Sequence, residues 1–211
     1  MQHYIIYQGL LIALAAMQRG YIETLMPWIN DPKATAGVLV NAPVTYEKEI
    51  SWYESIDERS GTDIIFAILV RDTEDGEWRY VGHTGLHHIT WPDGSASTGT
   101  FIGDSSVHGK GYGTEAKLWL LHHGFHTCGL RKVTSEVKAF NGNSYGHLLR
   151  CGYQVIGRRK NQHFHDGGYV DEILFEVFRE DFDPIWNAYR ESGELPALTD
   201  EQRALIKKER E

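Results

Sequence analysis

The chain has 211 residues, with 29 acidic against 21 basic side chains and a formal net charge of −8 when histidine is neutral. Hydrophobic residues at 41% and charged residues at 24% exclude a disordered or fibrous chain, and the length suits one compact domain with a sizeable core. The negative balance disfavours a dedicated nucleic-acid binder, whose footprint is a basic face, and suits a small cation or amine as partner.

The apolar run Leu10-Leu11-Ile12-Ala13-Leu14-Ala15-Ala16 resembles the core of a signal peptide, but no Lys or Arg precedes Arg19, so the positive leader region is missing. Uninterrupted apolar stretches stay short of the ~18 residues that mark a membrane span. The run reads as a buried strand over 10–15. A helix follows over 19–29, with Ile22, Leu25, Met26 and Ile29 at 3–4 spacing, stopped by Asn30-Asp31-Pro32. Thr45 caps a second helix over 46–57. Strands are expected over 64–70, 79–89 and 97–103, with 72–78 as a hairpin loop and 91–95 as a turn.

A glycine-rich segment, His108-Gly109-Lys110-Gly111-Tyr112-Gly113, leads into a helix over 114–128. The pattern then predicts a strand over 132–139, a short helix over 143–151 ended by Gly152, and strands over 155–157 and 171–178 with 163–169 between them. From Asp183 the chain is charged and helical, interrupted by Pro196. The expectation is an α/β (α+β) fold: a mixed, twisted central sheet of about six to seven strands flanked by helices. Residues 1–182 form the domain and 183–211 a helical tail. Cys128 and Cys151 form no CxxC pair, which suits a reducing, cytoplasmic setting.

A strand feeding a glycine turn and then a helix makes an anion site, because unpaired amides at the helix start point outward and the helix dipole favours a phosphate. Two common phosphate patterns miss. From Gly103 to Gly109 there are five intervening residues where a P-loop needs four, and Gly111 stands where Ser or Thr should follow the lysine. Gly109, Gly111 and Gly113 are evenly spaced by two, unlike the dinucleotide fingerprint.

The segment Gly109-Lys110-Gly111-Tyr112-Gly113-Thr114-Glu115-Ala116 resembles the acetyl-coenzyme A pyrophosphate loop of the GNAT superfamily of N-acetyltransferases, with His108 where Arg or Gln is usual. Downstream, Asn141-Gly142-Asn143-Ser144 with Gly152-Tyr153 resembles that family's Asn-x-x-Ser…Gly-Phe segment. Asp166-Gly167-Gly168-Tyr169-Val170-Asp171 and Trp28-Ile29-Asn30-Asp31-Pro32 are similar to the branch of ribosomal-protein N-terminal acetyltransferases. The likeness spans roughly residues 10–182.

The resemblance implies direct transfer of an acetyl group from acetyl-coenzyme A to a primary amine: a small molecule, a polyamine or a protein N-terminus. It implies that main chain at Ile102 and Gly103 pairs with the pantetheine arm. It also implies that the loop from His108 through Thr114 (Gly109, Lys110, Gly111, Tyr112, Gly113) holds the pyrophosphate, and that Asn141 and Ser144 contact the arm. Glu136 lies on the strand where some members carry a base. Leu148 stands where many members carry a tyrosine acid, and Ser144, also a good helix-capping residue, is the candidate donor to the thiolate. Trp28 and His163 line the acceptor side. His122 and His126 stand four apart without the glutamate of a zinc hydrolase helix, so no metal is expected. Neither nucleic acid nor membrane is an expected partner. The tail could pack on its own domain or on a second copy, so a homodimer stays open. The alternative function is an acyl-coenzyme A sensor or scaffold with little turnover.

Overall fold

Side-chain alternation decides the layers. In β2 (Ile12–Ala16) and β3 (Ile64–Val70), Ile12, Leu14, Phe66 and Ile68 enter one apolar cluster. Their neighbours Ala13, Ala15, Ala67 and Leu69 enter another on the opposite face. Both faces of these strands are therefore covered, which is why they read as unbroken apolar runs. The structure, a computed structural model, describes residues 2–38, 43–73 and 75–209.

One eight-stranded sheet runs in the order β1-β2-β3-β4-β5-β6-β8-β7, comprising β1 (Ile5–Gln8), β4 (Arg79–Thr90), β5 (Ser95–Ile102), β6 (Lys132–Lys138), β7 (Gln154–His165) and β8 (Gly168–Phe178) in addition to β2 and β3. Every neighbouring pair is antiparallel except β5 with β6. The sheet exceeds the six to seven strands expected. The extra strand β1 is an edge with mostly exposed side chains, so no apolar alternation marks it.

The expected strand over 155–157 extends to His165, which places His163 inside β7 rather than in a connection. Asp166 and Gly167, both at positive φ, close the β7–β8 hairpin as a two-residue turn. Helices α1 (Ile22–Ile29), α2 (Pro32–Thr35) and α3 (Tyr46–Glu58) lie on one face of the sheet over β2–β5, with Ile22, Leu25 and Ile50 meeting Tyr80 and Phe101. Thr45 caps α3 by accepting from the Lys48 amide.

The other face carries α4 (Tyr112–His122), α5 (Gly142–Arg150) and α6 (Arg179–Ser192). A π-helical turn (His123–Thr127) ends α4 before the expected 128. Residues 182 and 183, where a tail was expected to begin, fall within α6, and Phe182, Trp186 and Tyr189 of that helix are buried in the main core. A last helix, α7 (Asp200–Glu209), follows. No helix among the described residues is long and apolar enough to cross a membrane.

Candidate active site

The parallel pair β5 and β6 stays in register for only three positions, Ser95↔Lys132, Ala96↔Val133 and Ser97↔Thr134. Beyond that the strands part, although β5 continues to Ile102 and β6 to Lys138. Side chains bridge the crotch of the fork. Thr98 Oγ1 donates to the Thr134 carbonyl (3.3 Å), Ser135 Oγ donates to the Thr98 carbonyl (3.2 Å), and the buried Tyr153 hydroxyl reaches Thr98 Oγ1 at 3.0 Å. Hydroxyls thus take over where backbone pairing stops and hold the crotch in place. Past it, the edge of β5 offers main-chain groups to an extended ligand, the recognition mode of an added strand.

Two clefts meet at the fork. The larger, about 930 Å³, runs along Thr100–Ile102, the loop His108–Thr114, and Asn141–Ser144 at the start of α5. Gly109 and Gly111 hold φ values of +76° and +88°, which L side chains rarely adopt, so the loop can turn sharply into α4. The start of that helix and the cations Lys33, Lys110 and Arg150 line the same cleft, so positive charge gathers locally in an acidic protein. The His108 ring folds back, with Nε2 at 2.9 Å from the Ile102 carbonyl.

Glu115 anchors the loop from behind. Its buried carboxylate accepts the amides of Leu10, Leu11 and Ile12 at 2.7–2.8 Å and the Tyr189 hydroxyl at 2.5 Å, tying α4 to the β1–β2 turn and to α6. At the start of α5, Asn141 is the cap: its side-chain oxygen accepts from the Ser144 amide at 3.2 Å. Capping therefore belongs to Asn141, and Ser144 lines the cleft. His147 lines it too. Burial, with Lys117 and Arg150 nearby, pushes its imidazole down to about 3, so it is neutral near pH 7.

The second cleft, about 730 Å³, opens on the opposite face, where α1–α3 leave β6 and β8 uncovered. Alternation builds it: Val133, Val137, Ile173 and Phe175 point into the main core, and Thr134, Glu136, Lys138 and Glu172 point into the cleft. A chain of charge runs along it. His163 Nε2 lies 2.6 Å from Glu172 Oε1, Arg159 Nη1 donates to Glu172 Oε2 at 2.7 Å, and the same guanidinium donates to Glu136 Oε1 at 3.0 Å. Glu172 is only 6% exposed and Glu136 53%, so the first is a fixed part of the wall and the second is accessible to solvent. Lys138 Nζ donates to the Ala36 and Val38 carbonyls at 3.0 and 2.9 Å, pinning the segment after α2 across the fork. Burial lowers the pKa of that ammonium.

The structure brings Ile102, His108, Gly109, Lys110, Gly111, Tyr112, Gly113, Thr114, Asn141 and Ser144 together along one cleft, and Glu136 with His163 along the other. Two expected site residues lie elsewhere. Trp28 stacks on Tyr80 with ring centroids 6.1 Å apart and lines neither cleft. Gly103 lines neither as well; a Cβ there would lie 2.5 Å from Trp28 Cβ, so the glycine makes room for that packing. Each is used by the other. Arg159 and Glu172 carry no distinguishing signal in the sequence: β8 holds Asp171 and Glu176 besides Glu172, and Arg159 lies in a run of cations in β7. His122 stacks on Trp186, and His126 pairs with Asp183 at 2.9 Å.

Residues 12–154, well over half of the chain, match the family model described as "Acetyltransferase (GNAT) domain". A Bacillus licheniformis protein called uncharacterized N-acetyltransferase p20 is 22% identical over 173 residues, covering 81% of this chain and 94% of its own. Among solved structures, a spermidine N-acetyltransferase from Vibrio cholerae in complex with CoA and spermine superposes with a TM-score of 0.72 at 17% identity, covering 82% of this chain and 98% of that one. RimJ from Mycobacterium smegmatis, in complex with CoA-disulfide, gives a TM-score of 0.71 at 20% identity, covering 86% and 89%. With a glycine-rich loop opening α4 beside a forked parallel strand pair, and a family model matching well over half of its length, the chain belongs to the GNAT acetyltransferase family, and acetyl-coenzyme A is its co-substrate.

Proposed function

We propose that the protein transfers the acetyl group directly from acetyl-coenzyme A to a primary amine seated in the carboxylate-lined cleft. The observation that carries this reading is the fork: β5 contributes Thr100–Ile102 to one cleft and Ser95–Thr98 to the other, so a thioester reaching the crotch meets an amine arriving from the opposite face. The amine loses its proton to the Glu136 carboxylate, directly or through water. Its nitrogen then attacks the thioester carbonyl, the carbon–sulfur bond breaks, and the surplus proton on that nitrogen passes to the departing thiolate, relayed by the Ser144 hydroxyl or by solvent, so that Ser144 ends as it began.

The lining favours an acceptor with one positive charge. Glu136 and Glu172 face Lys132, Lys138 and the Arg159 guanidinium, and Lys132 is itself paired with Glu176 at 3.2 Å. The net charge of −8 is therefore not concentrated here. A polycation would need unpaired carboxylates, whereas a monoamine or a protein N-terminus needs one partner. A panel containing a monoamine, an N-terminal peptide and spermidine, followed by free-thiol release and product mass, tests this. Acetylation of the first two over spermidine is expected. Preference for spermidine would overturn the acceptor class, and tight cofactor binding with no acceptor turned over would favour a sensor.

A further inference from the structure

We infer that the C-terminal segment between α6 and the middle of α7 forms part of the cofactor site, an apolar wall for the nucleotide end of coenzyme A. The family match ends at residue 154, so this wall lies outside it. Four residues from the segment, Leu195, Pro196, Leu198 and Ile206, line the glycine-loop cleft beside Arg150. Gly111 lets the segment come down this closely, and at Gly146 it packs at ordinary contact distance. A Cβ at Gly111 would lie 2.5 Å from Leu195 Cδ1, and a Cβ on Gly146 of α5 would lie 3.8 Å from both Leu198 Cδ1 and Ile206 Cδ1. Gln202 Nε2 donates to the Leu149 carbonyl at 3.2 Å, fastening α7 to the end of α5.

The order of groups along coenzyme A assigns the ligand. The thioester and arm belong at the fork, and the pyrophosphate belongs at the amides that open α4. What remains of the cofactor is an adenine ring with a ribose 3′-phosphate. On the side of the cleft that the segment covers stands an aliphatic wall with the Arg150 guanidinium beside it, which matches an aromatic face and a phosphate. Gly193, at φ +69°, ends α6 and turns the chain so that Leu195 reaches Gly111.

Calorimetric titration of coenzyme A, 3′-dephospho-coenzyme A and pantetheine 4′-phosphate against the full chain and a chain ended after Ser192 tests the assignment. Loss of the segment should weaken both adenine-bearing ligands by about tenfold and leave pantetheine 4′-phosphate within about twofold. The double substitution Leu195→Ala with Leu198→Ala should reproduce that pattern in a full-length, folded protein. Arg150→Gln should instead narrow the difference between coenzyme A and its dephospho form. Equal weakening of all three ligands would mean that the segment merely props the loop, and tighter binding on its removal would make it a plug. Either result overturns the inference.

Discussion

The two clefts are built by different means. The glycine-loop cleft takes its chemistry from main chain: amides at the start of α4, the free edge of β5 and two glycines at positive φ. The opposite cleft takes its chemistry from side chains on β6, β7 and β8, set by strand register and held by the Glu136–Arg159–Glu172–His163 chain. A main-chain site tolerates many side chains and fails when the backbone is blocked. A side-chain site fails one group at a time, and the cofactor does not feel the loss. That contrast is consistent with a family that keeps its co-substrate while changing acceptors.

The sharpest way to break the comparison is Gly111→Glu. The residue would have to hold φ +88°, displace Leu195 and bring a carboxylate to the phosphates. Calorimetry should show coenzyme A affinity falling by about 100-fold or more. Next comes Glu136→Gln, which should lower kcat/KM by about 10²-fold near neutral pH while leaving coenzyme A affinity unchanged. The gap should narrow as pH rises toward the amine's own pKa, because more acceptor arrives already neutral. A pH–rate profile unchanged by Glu136→Gln but altered by His163→Gln would move the base one step along the chain.

A third effect separates the faces by acid stability. Burial pushes His147, in the glycine-loop cleft, down to about 3, and burial with nearby His87 pushes His83, on the opposite face, down to about 4. Below about 6.5 the unfolded chain binds protons that the folded chain refuses, so stability falls as pH drops from there toward 4. Thermal unfolding across this window should follow uptake of about one proton per histidine, and His83→Gln should flatten the slope. The smallest effect is at the crotch between the clefts. Thr98→Val removes one hydroxyl from the Thr134–Tyr153 bridge and should cost about 1–2 kcal/mol in a chemical melt, with KM for both substrates rising modestly.

The same contrast explains what could be read from residues alone. The glycine loop, the cap at Asn141 and the strands β3, β4 and β6 are local: spacing and turn chemistry over fewer than about fifteen residues specify them. The side-chain cleft is not local. Arg159 and Glu172 meet only because β7 pairs with β8, and the pattern of β7 marks only three residues because its exposed, charged middle carries no apolar period. The Asp166-Gly167 turn was the available clue, since two such residues between strands select a tight hairpin and would have carried β7 back to His163. The packing of Trp28 is hidden from the sequence for a related reason. Its place near the acceptor side came from family likeness, whereas its packing on Gly103 and Tyr80 depends on how α1 crosses the sheet. The wall formed by Leu195, Leu198 and Ile206 had no signal in its own charged stretch, because its partners Gly111 and Gly146 lie far away in sequence.

Direct transfer across the fork is the central claim, and initial rates test it most directly. Rates would be measured over a grid of acetyl-coenzyme A and the best amine from the panel. Lines that intersect in double-reciprocal form, with no acetylated protein detected by mass in the absence of amine, are the predicted result. Parallel lines together with an acetyl-protein intermediate would contradict it.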